Sequence, residues 1–164
     1  MGVVSGRQSA GILLYRGTGR AVEVLLAHPG GPFWRHRDDG AWSLPKGEYD
    51  SGEEPLAAAR REFEEELGLP APAGEPVELG SVRQKGGKIV TAWAVEGNLD
   101  PRDIDPGVFE IEWPRGSGRV VAFPEVDRVA WFDLETARGK ILAGQRPLLD
   151  RLAEATGPER TVSS

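Results

Sequence analysis

Residues 47–69 read GEYDSGEEPLAAARREFEEELGL. The run from Glu53 to Leu67 predicts a helix. Glu53, Glu54 and Pro55 suit a first turn, where carboxylates meet the positive end of the helix dipole and proline sacrifices no hydrogen bond. Three alanines follow, then Gly68 as a stop signal, with Pro70 beyond it. Leu56, Ala59, Phe63 and Leu67 recur at helical spacing and form one apolar stripe.

The face opposite that stripe is acidic. Glu62, Glu65 and Glu66 stand at i, i+3 and i+4, within about 100° of arc. Like charges at this spacing cost a helix a few tenths of a kcal/mol per pair. A helix that tolerates them has reason to hold a cation, and carboxylate oxygens are hard ligands suited to Mg²⁺ or Mn²⁺. The competing reading is a solvated face in which Arg60–Glu64 and Arg61–Glu65 are ordinary intrahelical pairs.

Outward from this stretch, the chain reads as short apolar runs punctuated by glycine and proline. Ala10–Arg16 and Val22–His28 flank a Gly17-Thr18-Gly19 turn, a hairpin pattern. Ala41–Leu44 reads as a third strand and residues 47–52 as a turn-rich loop. Val77–Gln84 and Ile89–Val95 flank Lys85-Gly86-Gly87-Lys88, a second hairpin. Phe109, Ile111 and Trp113 alternate with glutamates as a half-buried strand. Val120–Phe123 and Arg128–Phe132 read as strands, and Leu134–Leu142 and Arg146–Ala155 as helices. The predicted order is β-β-β-α-β-β-β-β-β-α-α, an α/β fold with helices over a mixed sheet. Residues 1–8 are expected to form a flexible arm, 9–156 one domain and 157–164 a tail.

The chain has 164 residues, of which 39% are hydrophobic and 28% charged. One domain of this size buries roughly 70% of its unfolded surface. The net charge of −6 argues against a nucleic acid polymer as partner. It leaves small phosphate substrates open, because metal ions screen carboxylates. The absence of cysteine removes disulfides, thiolate metal sites and cysteine nucleophiles. No basic segment leads into a long apolar run, and ILLY and VLLA fall far short of a bilayer span. No membrane partner and a cytoplasmic location are therefore expected.

The spacing in residues 47–69 resembles the Nudix box, G-x5-E-x7-R-E-U-x-E-E-x-G-U, where U is a bulky aliphatic residue. Gly47, Glu53, Arg61, Glu62, Glu65, Glu66 and Gly68 fill every named polar and glycine position. Phe63 departs from it, aromatic where an aliphatic residue is usual. Chance agreement is on the order of one in a million. The resemblance extends over residues 9–142 and implies an α/β/α sandwich with a mixed sheet and a loop-helix-loop catalytic motif.

The implied activity is divalent-metal-dependent hydrolysis of a nucleoside diphosphate linked to another group, with metal-bound water attacking a phosphorus. Glu62, Glu65 and Glu66 would bind Mg²⁺ or Mn²⁺, and one of them would take a proton from the water. Glu53 would pair with Arg61, while Gly47 and Gly68 would serve backbone geometry. A further acidic ligand from a later loop is expected, with Glu125 the candidate and Glu110 and Glu112 its rivals.

The lead-in Leu44-Pro45-Lys46-Gly47 resembles that of dinucleoside polyphosphate or diphosphoinositol polyphosphate hydrolases. Lys46 can neutralise an extra phosphate, or it is simply solvated. Upstream, Arg35 and Arg37 suit phosphate, and Trp34 or Phe33 suits a nucleobase, unless this loop carries its charges incidentally. The substrate class is a dinucleoside polyphosphate or nucleoside triphosphate. The alternative is a catalytically silent Nudix-fold nucleotide-binding module. An isoprenoid diphosphate isomerase would need the missing cysteine, and a decapping enzyme fits poorly with the acidic balance. A homodimer is compatible with the resemblance, although no interface is legible.

Overall fold

The chain runs on both sides of one central strand, β1 (Gln8–Arg16). Ala10, Ile12 and Leu14 face one core and Leu13 the other. Burial on both faces is why this strand reads as an unbroken apolar run rather than an alternating one. The structure is a computed structural model that describes residues 7–157.

β2 (Glu23–Pro29) returns antiparallel and pairs with the end of β1 at Tyr15 and Arg16. β3 (Lys46–Glu48) takes the start of β1, pairing Gly47 with Ala10. Gly11 permits this approach: a β-carbon there would lie 2.6 Å from the Pro45 carbonyl oxygen. After α1 (Pro55–Leu67), the hairpin of β4 (Val77–Arg83) and β5 (Ile89–Glu96) lays β5 parallel to β1. β6 (Val108–Glu112) and β7 (Val120–Pro124) pair only with each other, as a ribbon outside the main sheet. β8 (Val126–Asp133) closes the main sheet against β2. The order across the main sheet is β4-β5-β1-β2-β8, with β3 on β1.

Two cores make this a sandwich. On one face α1 buries Ala58, Ala59, Phe63 and Leu67 against Ile12, Leu14 and Leu25. On the other, α2 (Leu134–Lys140) and α3 (Arg146–Thr156) bring Ala137, Leu148, Leu149 and Leu152 over Leu13, Val24 and Leu26. No helix among the described residues is long and apolar enough to cross a membrane.

Three expectations need correction. The third strand lies at Lys46–Glu48, inside the expected loop, and not at Ala41–Leu44. Residues 41–44 instead bridge singly, Ser43 to Ala27 and Trp42 to Ile141. Glu53 and Glu54 precede the helix rather than starting it. Finally, the expected arm overlaps the sheet, because Gln8 already pairs with Ile89. Residues 1–6 and 158–164 lie outside the described residues.

Candidate active site

α1 is pinned at both ends. The Glu54 carboxylate caps it, accepting from the Ala57 and Leu56 amides at 2.9 and 3.3 Å. At the other end Gly68 adopts φ 76°, where a β-carbon would strike the Asp105 carbonyl. The Asp105 amide in turn donates to the Leu67 carbonyl at 2.7 Å. This left-handed cap is what the glycine at the end of the motif supplies.

Arg61 organises the carboxylates. Its Nε and Nη2 donate to both oxygens of Glu53 at 2.8 and 2.9 Å, a two-pronged clamp. Nη1 donates to Glu62 at 2.9 Å and to Glu65 at 3.1 Å. The Glu53 hydrogen bonds, ahead of those from Glu65, raise the Arg61 pKa, and Arg61 holds Glu53 below the usual carboxylate range.

Glu62 and Glu66 do not lie opposite the apolar stripe. At 100° per residue they project between Ala58 and Ala59, both buried. They therefore emerge beside the packed face, over β3. Gly47 makes room there, since a β-carbon on it would run into the Glu62 carboxylate. The Glu62 side chain is only 14% exposed, against 58% for Glu65. Glu65 turns outward to Arg61 instead of joining the other two.

Burial pushes the Glu66 carboxyl up to about 8, although the Lys46 ammonium and backbone amide oppose the shift. Glu125 and Glu62 push in the same direction as burial. Glu62 is also raised, chiefly by burial. Burial lowers the Lys46 pKa, with Glu66 acting against it. Glu125 follows β7, where its amide donates to the Gly107 carbonyl at 2.8 Å and its own carbonyl accepts from Gly30 at 3.0 Å. Its rivals lie elsewhere: Glu110 is exposed on the ribbon, and Glu112 accepts from the Gly118 amide at 2.7 Å.

Among the described residues, no three acidic or histidine side chains close a cage on an ion by themselves. The donor set still fits a hard divalent cation shared with phosphate. Glu66 is a desolvated carboxylate facing Glu62 and Glu125, and the glycine at 47 leaves space between strand and helix.

A cavity of about 180 Å³ opens beside Glu66, Glu125 and Lys46, walled by Trp34. Trp34 thus reaches the site. Arg35 and Arg37 line neither this cavity nor the one adjoining it. The Arg37 guanidinium lies 5.7 Å from the Trp34 ring centre.

Sequence reasoning missed two buried polar anchors. His28 receives no solvent; its ring nitrogens meet Asp127 at 3.0 Å and the Arg37 carbonyl at 2.6 Å, tying down the loop that carries Trp34. Gln145, also fully buried, accepts from the Leu44 amide and donates to Ser43 and Gln84. It braces the segment leading into Lys46. Both partnerships span distant parts of the chain, so no local pattern announces them.

Two outcomes follow from this geometry. Gly47→Ala should displace the Glu62 carboxylate and lower kcat/KM on the order of 10²-fold, the scale of a misplacement of about 1 Å. Steady-state kinetics beside unchanged circular dichroism would check it. The second concerns the metal-free protein. Glu66 has a folded pKa of about 8 against its ordinary 4.5, so the unfolded chain gives up this proton first as pH rises. Stability in chelator should therefore fall between about pH 4.5 and pH 8, and Glu66→Gln should remove that part of the slope. Urea unfolding across this range measures it.

A mixed sheet between helices, with a glutamate-bearing loop-helix-loop beside its central strand, is the architecture of a Nudix sandwich. The NUDIX domain profile matches residues 6–152, and the chain belongs to that family. It carries the full set of polar and glycine positions of the family's box. An 8-oxo-(d)GTP phosphatase from Mycolicibacterium smegmatis is 30% identical over 171 residues, covering 94% of this chain and 44% of that protein. The chain thus spans less than half the length of that curated relative. The C. elegans Ap4A hydrolase in a binary complex superposes with a TM-score of 0.63 at 25% identity, over 91% of this chain and 96% of that one. The M. smegmatis Nudix hydrolase RenU gives 0.57 at 27% identity, over 96% and 90%.

Proposed function

We propose that this chain is a Mg²⁺- or Mn²⁺-dependent pyrophosphohydrolase acting on a nucleoside diphosphate linked to another group. Dinucleoside polyphosphates and nucleoside triphosphates are the substrate classes; relatives named for Ap4A and 8-oxo-(d)GTP support that range. The observation that carries the reading is Glu66, a half-buried carboxylate set against Glu62, Glu125 and Lys46 at the mouth of a cavity.

Glu62, Glu66 and Glu125 would hold the cation, with Glu65 at the outer side. When bound, the cation supplies Lewis acidity toward the phosphate oxygens and the attacking water. Arg61 orients Glu62 and Glu65, and Glu53 fixes Arg61. Lys46 offers positive charge to the phosphate chain, and Trp34 offers a ring to the base. Arg35 and Arg37 stand in the exposed loop outside, available to trailing phosphates. A carboxylate of the α1 set, Glu62, Glu65 or Glu66, takes the proton of the water.

The test is a panel of nucleoside triphosphates, dinucleoside polyphosphates, nucleotide sugars and inositol pyrophosphates, each incubated with Mg²⁺ or Mn²⁺. Release of phosphate or nucleotide that chelator abolishes is the expected result. No release from any compound, with nucleotide binding retained, would make the chain a silent binding module.

A further inference from the structure

The lead-in to Lys46 crosses a gap in the main sheet. Ser43 exchanges two backbone hydrogen bonds with Ala27, at 2.8 and 3.0 Å, and Lys46 rejoins the sheet opposite Gly11. Between them, Pro45 has no amide to offer a neighbouring strand. The Leu44 amide donates to a side chain, Gln145 Oε1, at 3.2 Å. Leu44 is buried, so an unpaired amide there would carry the full desolvation penalty.

Gln145 reaches this gap from the other layer of the sandwich, at the junction between α2 and α3. Its own backbone amide donates to the Leu142 carbonyl at 2.9 Å. Its side-chain nitrogen donates to Ser43 Oγ at 3.0 Å and to Gln84 Oε1 at 2.8 Å. Ser43 Oγ in turn donates to the Leu44 carbonyl at 2.7 Å. Gly144 lets the junction approach, since a β-carbon there would already lie 3.1 Å from the Gln84 α-carbon. One buried amide group therefore ties together the end of β4, the α2–α3 junction and the lead-in. Sliding the lead-in along the sheet would break this network at several points at once.

What the network holds lies two residues further on. Lys46 is half-buried; its backbone amide donates to the Glu66 carboxylate and its ammonium faces the same group. Gln145 itself borders neither cavity at the site. We propose that Gln145 is a positioning residue for hydrolysis, which acts by fixing the lead-in so that the Lys46 ammonium stands where the phosphate chain meets Glu66. The C-terminal helices thereby support a site built on the opposite face of the sheet. This rests on the hydrolase reading above and extends it to a residue far outside the Gly47–Leu69 motif.

The experiment is a double-mutant cycle on kcat/KM, with Mn²⁺ and the panel compound cleaved fastest, in the wild type, Gln145→Met, Lys46→Met and the double variant. Gln145→Met should lower kcat/KM about tenfold with circular dichroism unchanged, less than the roughly 10²-fold of a 1 Å misplacement. In the Lys46→Met background the same substitution should cost less than threefold, because the group that it positions is gone. A glutamine that merely stabilises the fold would cost the same factor in both backgrounds. A further loss of threefold or more in the Lys46→Met background, or a loss under threefold in Gln145→Met alone, would overturn the proposal. Should Gln145→Met fail to fold, Gln145→Glu takes its place in the cycle with the same thresholds; it keeps an acceptor for Leu44 and gives up the donation to Gln84. Should no compound be cleaved, the hydrolase reading fails separately and the cycle is read in ATP binding by calorimetry. At least threefold weaker binding in the wild-type background alone supports the positioning role, and equal changes in both backgrounds, or none, overturn it.

Discussion

Glu66→Gln is expected to lower metal-dependent kcat/KM on the order of 10²–10³-fold, with the fold intact. The amide is nearly isosteric, so packing against β3 is preserved. What is lost is an anionic ligand in a desolvated position, where electrostatic contributions to a transition state are largest. The same variant should be more stable than the wild type in chelator at pH 8. Burial disfavours the Glu66 anion, and Lys46 offsets this only in part. Loss of rate with gain of metal-free stability is a signature that a merely structural glutamate would not give. Glu62→Gln should also lose rate, but there an Arg61 hydrogen bond is weakened, so no stability gain is expected. Near-normal turnover in both variants would remove the metal assignment.

Phe63→Ala should cost about 3–5 kcal/mol, the range for emptying a buried aromatic site. Phe63 is fully buried against the sheet face formed by Ile12, Leu14 and Leu25. Domains have roughly 5–15 kcal/mol in total, so this variant should approach unfolding at ambient temperature. Phe63→Leu, which restores the aliphatic residue usual in the box, should cost under about 1.5 kcal/mol. Urea denaturation of the three proteins gives both differences. A loss below about 1 kcal/mol for Phe63→Ala would mean that α1 is not held by this face.

Elements with strong local signals were legible in the sequence. Pro55, the alanines and Gly68 bracket α1, and the Gly-Gly turn between two apolar runs marks the β4–β5 hairpin. The orientation of α1 was harder. Its first turns are alanine-rich, and alanine is indifferent to burial on either side. Leu56 draws the apolar stripe away from Ala58, and a stripe so placed puts Glu62 and Glu66 on the far face. The ribbon was illegible as such, because alternation of Phe109 and Ile111 describes any half-buried strand and does not name its partner. Within the site, the resemblance to the box implies the pairing of Glu53 with Arg61, and both prongs of that pair are present. Whether Glu125 or Glu112 completes the acidic set depends on how the chain returns from β7 to β8, a long-range matter. The place of Trp34 likewise depends on a long-range contact: His28 meets the Arg37 carbonyl of that loop with one ring nitrogen and Asp127, 99 residues away, with the other.

The most direct test of the account is a calorimetric titration of Mn²⁺ into the wild type and into Glu66→Gln at pH 8. Saturable binding to the wild type, weakened at least tenfold in the variant, is the expected result. Identical isotherms for the two proteins, or no binding to either, would contradict the claim that these carboxylates exist to hold a cation.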